Sequence, residues 1–306
     1  MKIFVSGLLN IETTVAVRGF PIDYYPIDYP FFGIRSAVSG VGYNVAKALA
    51  TLGDDVNLVS FLGDDAEAQR ILAQLARDGI GTDGIRRGLN ATPVSAVLFD
   101  PQGRRQIYCD LKDIQEQTLP PEPFLTQMKA CGLAALCNIN FNRGLIRAAK
   151  QAGVLTATDV HVLHDPGDGY NRDFMENADI LFLSDEALPC AAEVFLRNLR
   201  ERYHNRVIVL GMGAKGAMLL DAETESVSTV PAYTDGPVVN TVGAGDALFS
   251  AFLHFYARGD GAKIALEKAV VFAGVKIGAN GASEGFCGEQ DVEARWNGTA
   301  AGTDSK

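Results

Sequence analysis

Long apolar stretches are absent from this 306-residue sequence. No uninterrupted run approaches the ~20 residues that a helix needs to cross a bilayer, so we expect no membrane-spanning segment and no membrane partner. Residues 1–7 are apolar only briefly before Asn10 and Glu12 follow. We therefore also expect no secretory signal peptide.

Cysteine is scarce and shows no pairing pattern. The five cysteines are odd in number and include no C-x-x-C pair. Disulfide frameworks and zinc sites depend on such patterns, so the sequence predicts neither. We expect reduced thiols and a cytoplasmic protein.

Positive charge is in deficit, because 27 Lys and Arg stand against 37 Asp and Glu, for a formal net charge of −10. Proteins that bind DNA or RNA need basic side chains to displace counterions from phosphates, so we expect no nucleic-acid partner. A nucleotide remains compatible with this charge, because backbone N–H groups can hold phosphate inside an acidic protein.

Short apolar strands alternate with helical patterns along almost the whole chain. Continuous apolar runs are typical of strands in a sheet that is covered on both faces. Strands that alternate with helices indicate βαβ units, so we predict an α/β fold with a mostly parallel central sheet flanked by helices. The predicted strands are Lys2–Ser6, Val56–Phe61, Leu133–Cys137, Val154–Asp159, Ile180–Leu183, Val207–Leu210 and Ala217–Leu220. The predicted helices are Asn44–Leu52, Ala66–Asp78, Arg143–Gln151 and Ala247–Arg258.

Two segments interrupt this alternation. Thr13–Ser36 is rich in Pro, Tyr and Phe, and the strand patterns Val94–Phe99 and Arg104–Cys109 flank a turn. We interpret them as parts of a small β lid, at about residues 13–38 and 92–110. The chain shows no linker or repeat, so we predict a single domain over residues 1–296. We expect the small and polar residues 297–306 to be disordered.

The richest stretch for chemistry is Asn240–Asp246, with the sequence NTVGAGD, which precedes a helical pattern. The first N–H groups of a helix have no intrahelical partner, and the helix dipole adds to their attraction for an anion. The small residues Gly243, Ala244 and Gly245 would let an anion approach these groups. Asp246 lies in the predicted first turn, where its carboxylate can face the same anion. A close-packed loop without a ligand is the alternative that this stretch alone leaves open.

A second glycine cluster, Ser39–Asn44, leads into the helix predicted from Asn44. Asn44 has two candidate roles, as the N-cap of that helix or as a hydrogen-bonding partner of a ligand. In the second case, Gly40 and Gly42 would let a polyhydroxy ligand approach the backbone closely.

A third cluster, Gly211–Gly216, matches G-x-G-x-x-G. The dinucleotide-binding fingerprint must open a helix, whereas the strand pattern Ala217–Leu220 follows here. We therefore predict a glycine-rich turn between two strands and not a Rossmann site. The G-K-[ST] element of a P-loop is absent from the sequence as well.

Taken together, the glycine clusters resemble the two signatures of the PfkB (ribokinase-like) family of carbohydrate and nucleoside kinases. The stretch from Ser39 to Asp65 resembles the first signature, and Asn240–Asp246 resembles the second, which is normally D-T-x-G-A-G-D. The resemblance covers about residues 2–292. It implies a ribokinase-like fold with a lid over the acceptor, and phosphoryl transfer from Mg-ATP to a hydroxyl group.

The resemblance also implies roles for the residues of the three clusters. Asp246 would be the base that takes the proton from the acceptor hydroxyl. The anion hole for the transferring phosphoryl group would be formed by Gly243, Ala244 and Gly245. The acceptor would be held by Gly40, Gly42 and Asn44, and the ATP phosphates would be lined by Gly211, Gly213 and Gly216.

Several positions depart from the family pattern at the nucleotide end. The usual N-x-x-E that organises the magnesium shell is here Ser184–Ala187. We expect Ser184 to contact the nucleotide, and Asp185 or Glu186 to serve the magnesium ion. Asn240 replaces the aspartate that begins the second motif, so we place it at the cofactor and leave open whether a monovalent cation binds.

Two positions bear on the acceptor. Glu12 stands where the family usually has a sugar-binding aspartate, and its longer side chain would shift the acceptor pocket. The stretch Cys137–Asn140, at the end of the strand Leu133–Cys137, resembles the pseudouridine-kinase branch, and Asn138 within it is expected to contact the acceptor.

We therefore predict an ATP- and Mg²⁺-dependent kinase of a small sugar or sugar derivative. A nucleoside kinase is the alternative acceptor class, in which a lid aromatic stacks on the base instead of packing within the lid, with Tyr24, Tyr25, Phe31 and Phe32 as candidates. A binding protein without turnover is the alternative of another class, motivated by the altered Ser184–Ala187 stretch. Exposed strand edges in the lid would also allow a homodimer.

Overall fold

The computed structural model describes the backbone of residues 1–303 and the side chains of residues 1–298. The strands are β1 (Lys2–Ser6), β2 (Asn10–Ala16), β3 (Ile34–Ser39), β4 (Asp55–Leu62), β5 (Ile85–Arg87), β6 (Val94–Phe99), β7 (Arg105–Asp110), β8 (Leu133–Leu136), β9 (Leu155–Val162), β10 (Ile180–Ser184), β11 (Val207–Gly211), β12 (Ala217–Asp221) and β13 (Ser226–Val230). The helices are α1 (Val41–Thr51), α2 (Ala66–Arg77), α3 (Glu122–Cys131), α4 (Arg143–Gln151), α5 (Arg172–Asn177), α6 (Ala192–Tyr203), α7 (Ala244–Ala257), α8 (Ala262–Lys276) and α9 (Glu289–Thr303). None of these helices is both long and apolar enough to span a membrane.

The main sheet has the strand order β13-β12-β11-β10-β9-β8-β1-β4-β5. The strands from β11 to β5 pair in parallel, and β12 and β13 join one edge as antiparallel strands. This confirms the predicted α/β fold with a mostly parallel sheet. The carboxyl ends of the parallel strands share one edge, where a ligand is expected in such a sheet.

Both faces of the main sheet are buried, and β1 shows how. Ile3 and Val5 point into the core with α1, α7 and α8, whereas Phe4 points into the opposite core with α3 and α4. Successive side chains of a strand alternate between faces, so an all-apolar strand is what two helix layers require.

The two predicted lid segments form a separate four-stranded sheet with the order β3-β2-β6-β7. The expected turn between β6 and β7 is present, because Gly103 N–H donates to Asp100 O over 3.0 Å. One register row runs straight across this lid sheet, through Ala37, Glu12, Ser95 and Cys109. The lid therefore carries Glu12 on the same face of the sheet as Ser95 and Cys109.

The tail differs from the expectation at residues 297–303. These residues continue α9, which ends at Thr303, so they are helical and not disordered. Only Ala300 and Ala301 among these seven residues are strong helix formers, so the extension depends on propagation from a helix that has already begun. Residues 304–306 of the predicted tail lie outside the described residues.

Candidate active site

The turn that precedes α7 is held by its own side chains and by the loop after α8. Asn240 Oδ1 accepts a hydrogen bond of 2.8 Å from the N–H of Val242, which folds the chain back before the helix. Gly243 is the N-cap of α7 and has a φ of 79°, in the left-handed region that favours glycine. A Cβ at Gly243 would also overlap the carbonyl oxygen of Ala282. The turn is therefore tightly packed on one side.

The N–H groups at the start of α7 are partly free. Those of Gly243 and Gly245 have no hydrogen-bond partner among the described residues. A Cβ on Gly245 would meet nothing within 4 Å beyond its own helix, so this side of the turn is open. The N–H of Ala244 instead donates to Thr241 O over 3.1 Å. Two of the three predicted anion-hole donors are available to an anion, and the third is already engaged.

Asp246 lies in the first turn of α7, as predicted. Its Oδ2 accepts a hydrogen bond of 2.7 Å from Asn44 Nδ2, so the first and second glycine motifs meet at this pair. Burial raises the pKa of Asp246 to about 6, against the opposing effects of the Asn44 hydrogen bond and of His161. A general base works best when its pKa lies near the operating pH, so this carboxylate suits that task.

Asn44 does not cap α1, which was one of the two roles that the sequence left open for it. Gly40 is the N-cap, with a φ of 100°, and Asn44 lies inside the helix with its side chain on Asp246. The positive φ of Gly40 lets the chain enter the helix four residues earlier than a cap at Asn44 would. Of the two roles that the sequence left open for Asn44, the structure supports hydrogen bonding in the site.

The glycines of this first cluster pack against the turn between β1 and β2. A Cβ on Gly40 would press on Leu8 O, and one on Gly42 would press on the backbone of Gly7. The N–H of Gly42 donates to Leu8 O over 2.9 Å and cannot also serve an acceptor molecule. The glycines therefore bring α1 close enough for Asn44 to reach Asp246, and their direct contact with an acceptor stays a prediction.

Glu12 reaches from the lid toward the same site. Its Oε2 accepts a hydrogen bond of 3.3 Å from Ser39 Oγ. Burial raises the pKa of Glu12, with a further upward contribution from Asp246, while Ser39 and Lys276 lower it. The lid carboxylate and the α7 carboxylate thus share one polar environment, which the sequence alone could not place together.

Asn138 is directed elsewhere. Its Nδ2 donates to Asn171 Oδ1 over 3.0 Å, and its carbonyl accepts from the hydroxyl of Tyr170 over 3.0 Å. No hydrogen bond among the described residues joins Asn138 to Asp246 or Asn44. Its contact with an acceptor stays a prediction.

The third glycine cluster lies beside α7 at the carboxyl edge of the sheet. Gly211 ends β11 directly opposite Ser184 of β10. Gly213–Lys215 form a short 3-10 helix, which confirms a turn between two strands. Gly216 has a φ of 97°, and a Cβ there would overlap the carbonyl oxygen of Val230. The cluster thus forms a tight glycine strip beside α7, where the phosphates of ATP are predicted to lie.

The predicted metal carboxylates stand at the end of β10. Asp185 Oδ2 lies 3.9 Å from Lys215 Nζ, and Glu186 Oε1 lies 3.4 Å from Arg105 Nη2. Among the described residues, no group of three metal-ligating side chains is assembled. A magnesium ion in a kinase is usually held by one or two carboxylates together with substrate phosphates and water. Two partly exposed carboxylates beside the glycine strip suit that mode of binding.

One residue of the site was missed by sequence reasoning. Lys276, the last residue of α8, is fully buried and donates from Nζ to Val242 O, with Asn240 O at 3.5 Å. A single lysine at the end of an apolar helix carries no local signal. Only the packing of α8 against the turn before α7 shows where its ammonium lies.

Comparison with known proteins agrees with this geometry. The profile described as pfkB family carbohydrate kinase matches residues 2–286. The acarbose 7(IV)-phosphotransferase of Actinoplanes sp. is 27% identical over 84% of this chain and 86% of its own length. The ATP-dependent ribose-1-phosphate kinase of Halopiger xanaduensis is 27% identical over 92% of this chain and 94% of its own length.

Solved structures share the fold. The microbiome-derived acarbose kinase Mak1 has a TM-score of 0.86 at 24% identity, over 97% of this chain and 98% of that one. The family match contains both glycine motifs, so the resemblance predicted from them is confirmed. This chain belongs to the pfkB family of carbohydrate kinases, which are phosphotransferases.

Proposed function

We propose that this protein transfers the γ-phosphoryl group of ATP to a hydroxyl group of a small sugar or sugar derivative, with Asp246 as the base. The observation that carries this proposal is the meeting of Asp246 and Asn44 beside free amides at the start of α7. A carboxylate, an amide and an anion-binding helix start together supply what phosphoryl transfer to an alcohol requires.

The step itself needs one proton acceptor. The acceptor hydroxyl gives its proton to Asp246 while its oxygen bonds to the γ-phosphorus of ATP. The bond from that phosphorus to the β,γ-bridging oxygen breaks, and ADP leaves with the electron pair. The N–H groups of Gly243 and Gly245 face the phosphoryl oxygens, where negative charge is spread during transfer.

ATP would bind along the glycine strip formed by Gly211, Gly213 and Gly216, with Ser184 and Asn240 at its borders. Asp185 and Glu186 would serve a magnesium ion, directly or through water. When bound, such an ion neutralises charge on the β- and γ-phosphates. Lys215 and Arg105, which pair with these two carboxylates, would then be released toward the phosphates.

The acceptor pocket favours a ligand rich in hydroxyl groups. Asn10 Oδ1 and Asn44 Oδ1 are buried without a hydrogen-bond partner among the described side chains. Buried amide oxygens are costly to leave unpaired, and a hydroxyl can donate to each of them. Glu12 and Asp246 add negative charge, which disfavours an anionic acceptor. We therefore expect a neutral polyhydroxy compound.

The test is a panel of neutral sugars, sugar derivatives, phosphorylated sugars and nucleosides, assayed for ADP release with Mg-ATP. The phosphorylated product is identified by mass spectrometry, and an Asp246→Asn preparation provides the blank. We expect a neutral hydroxyl compound to support turnover and to raise the melting temperature in the presence of a non-hydrolysable ATP analogue. Binding without turnover for every compound would indicate the non-catalytic alternative.

A nucleoside acceptor is the second candidate, favoured by the aromatic segment between β2 and β3. Tyr24 and Phe32 are 88% and 96% exposed, so their faces are open to a base, whereas Phe31, 84% exposed, already stacks on Tyr29 with ring centroids 6.2 Å apart. Tyr25 differs, because the Arg18 guanidinium lies 4.4 Å from its ring centroid. If a nucleoside is the acceptor, Phe31→Ala and Phe32→Ala should raise its KM and leave the KM for ATP unchanged.

A further inference from the structure

The ammonium of Lys276 has unusual partners for a buried charge. The residue is fully buried, and its Nζ donates to the carbonyl of Val242 and lies 3.5 Å from that of Asn240. Burying an ammonium is costly unless hydrogen bonds and opposite charge compensate it. Here the hydrogen-bond partners are main-chain oxygens of the turn before α7, and not a carboxylate.

Lys268 on the same helix shows the usual arrangement. It is also buried, but its Nζ forms ion pairs with Asp260 at 2.7 Å and Glu293 at 2.6 Å. Two lysines on one helix are thus buried for different purposes. Lys268 ties α8 to neighbouring acidic residues, whereas Lys276 is aimed at the backbone of the phosphoryl-binding turn.

The carbonyl that Lys276 binds is electronically connected to the anion hole. Val242 C=O and Gly243 N–H belong to the same peptide unit, whose resonance couples the oxygen to the nitrogen. An ammonium that donates to this oxygen polarises the peptide unit, and the N–H becomes a stronger hydrogen-bond donor. The N–H of Gly243 is one of the two that remain free for an anion. Lys276 therefore acts on the phosphoryl group through the peptide between them.

The same carbonyl oxygens also decide whether a monovalent cation can bind here, a question that the sequence motif left open. Backbone carbonyl oxygens are the ligands that replace the hydration shell of K⁺ in proteins. The Lys276 ammonium already occupies Val242 O and approaches Asn240 O. The residues present do not suit an additional cation at these oxygens, because two positive charges would share one set of ligands.

We infer that the Lys276 ammonium takes the place of a monovalent cation at this turn, so that phosphoryl transfer by this protein requires no added K⁺ or NH₄⁺. Lys276 is a positioning residue in this scheme, since it acts through the Val242–Gly243 peptide and does not touch the acceptor. The inference rests on the proposed phosphoryl transfer.

The charge of Lys276 should also set the upper pH limit of the activity. Burial lowers the pKa of Lys276 to about 8, while Asp246, Glu12 and Glu284 raise it and Arg105 lowers it further. Above this pH the free enzyme loses the proton and with it the charge behind Gly243. We expect kcat/KM for ATP to fall as the pH rises through about 8.

The experiment compares chloride salts of K⁺, NH₄⁺, Na⁺ and choline at equal ionic strength. Wild type should turn over at the same rate within twofold in all four. Lys276→Ala should lose roughly 10- to 100-fold in choline, because a donor of the anion hole is weakened. Its activity should return in part with K⁺ or NH₄⁺, which can enter the space left by the side chain. Lys276→Met fills that space and should lose activity without rescue.

Thermal unfolding supplies a readout besides activity. KCl should raise the melting temperature of Lys276→Ala above its value in choline chloride, and should leave wild type unchanged. Lys268→Ala is the matched control, because it removes a buried ammonium from the same helix away from the turn. It should melt earlier in every salt and show no cation response in turnover.

Three results would overturn the inference. They are stimulation of wild type by K⁺ of more than fivefold over choline, full activity of Lys276→Ala in choline, or a defect in Lys276→Ala that no cation repairs. If Lys276→Ala does not fold, the inference is still tested by the turnover of wild type in the four salts and by the fall of its kcat/KM at alkaline pH. The absence of product in every salt with every acceptor would instead contradict the proposed function itself.

Discussion

At the scale of single residues, the site depends on opposing effects on one carboxylate. Burial raises the pKa of Asp246 to about 6, and the hydrogen bond from Asn44 pulls it down. Without burial the carboxylate would be a weaker base, and without the hydrogen bond from the amide its pKa would lie higher. The second glycine motif thus supplies the buried carboxylate, and the first supplies the amide that lowers its pKa.

Replacement of the base should separate activity from stability. Asp246→Asn should lower kcat roughly 10²- to 10⁴-fold, as expected for a lost general base, while an ATP analogue still binds. Because the folded pKa lies above the unfolded one, the folded protein loses stability as the pH rises through about 4 to 6. The variant lacks this penalty, so it should melt a few degrees higher than wild type at pH 8 and show little difference at pH 4. Near-normal turnover would contradict the assignment.

The pH profile should report on Asn44. Wild type should lose kcat/KM as the pH falls through about 6, where Asp246 takes up a proton. Asn44→Ala removes the hydrogen bond that lowers this pKa, so its acid limb should move to higher pH. Ser39→Ala is the control, because Ser39 bonds Glu12 and not Asp246. An acid limb that stays in place in Asn44→Ala, or moves equally in both variants, would speak against the pairing.

Individual residues were predictable where a local pattern defined them. Asp246 and the glycines beside it were identified from their position at the start of an apolar helix. Asn44 was found with two candidate roles, and the sequence could not decide between them because a glycine with positive φ can begin a helix without any side-chain cap. Lys276 was not predicted, because its importance arises from packing between α8 and a turn more than thirty residues earlier.

At the scale of elements, the start of α7 has a packed side and an open side. Gly243→Ala would force a methyl group against Ala282 O and strain a φ of 79°, so it should lower the melting temperature by several degrees. Gly245→Ala meets open space and should melt at or slightly above the wild-type temperature. Its methyl group would stand where the phosphoryl group approaches, so we expect kcat to fall roughly 10²- to 10³-fold. Thermal melts and initial rates of the two variants check this contrast, which equal melting temperatures would contradict.

The lid should close when the acceptor binds. Arg105 of β7 and Glu186 after β10 form a partly exposed ion pair, the type of contact that contributes only about 0–1 kcal/mol and can open and close. A closed lid keeps water from the phosphoryl group. Acceptor plus ATP analogue should therefore slow proteolysis within residues 17–33 and 100–104, and Arg105→Ala should weaken this protection at an unchanged melting temperature. Identical cleavage rates with and without ligands would exclude closure.

Most strands were predicted from the sequence because their signals are local, but of the helices only α1, α2, α4 and α7 were predicted, and α3, α5, α6, α8 and α9 were not. Apolar runs bounded by glycine located the parallel strands, and α2 and α4 begin at the predicted residues. The short β5 and the polar edge strand β13 were not predicted, because three and five residues with half-exposed side chains carry little periodicity. The joining of two distant segments into one lid sheet follows from the strand order, which no local pattern contains.

At the scale of the whole molecule, the lid offers edges to a second copy. β7 is exposed along its length, and Ile107 and Tyr108 on it are 47% and 54% exposed. The homodimer through the lid stays a prediction that sedimentation velocity tests. If it forms through this edge, Ile107→Lys should shift the protein toward monomer without loss of the fold. A sedimentation coefficient that is the same for both proteins would exclude this interface.

The bond between Asn44 and Asp246 spans 202 positions of the chain. More than two thirds of the protein must therefore be synthesised before the proposed base can meet the amide that lowers its pKa. We accordingly expect no growing intermediate to use ATP, and neither half of a chain cut between the two motifs to do so alone. Recovery of turnover on mixing such halves would report native assembly of the whole molecule.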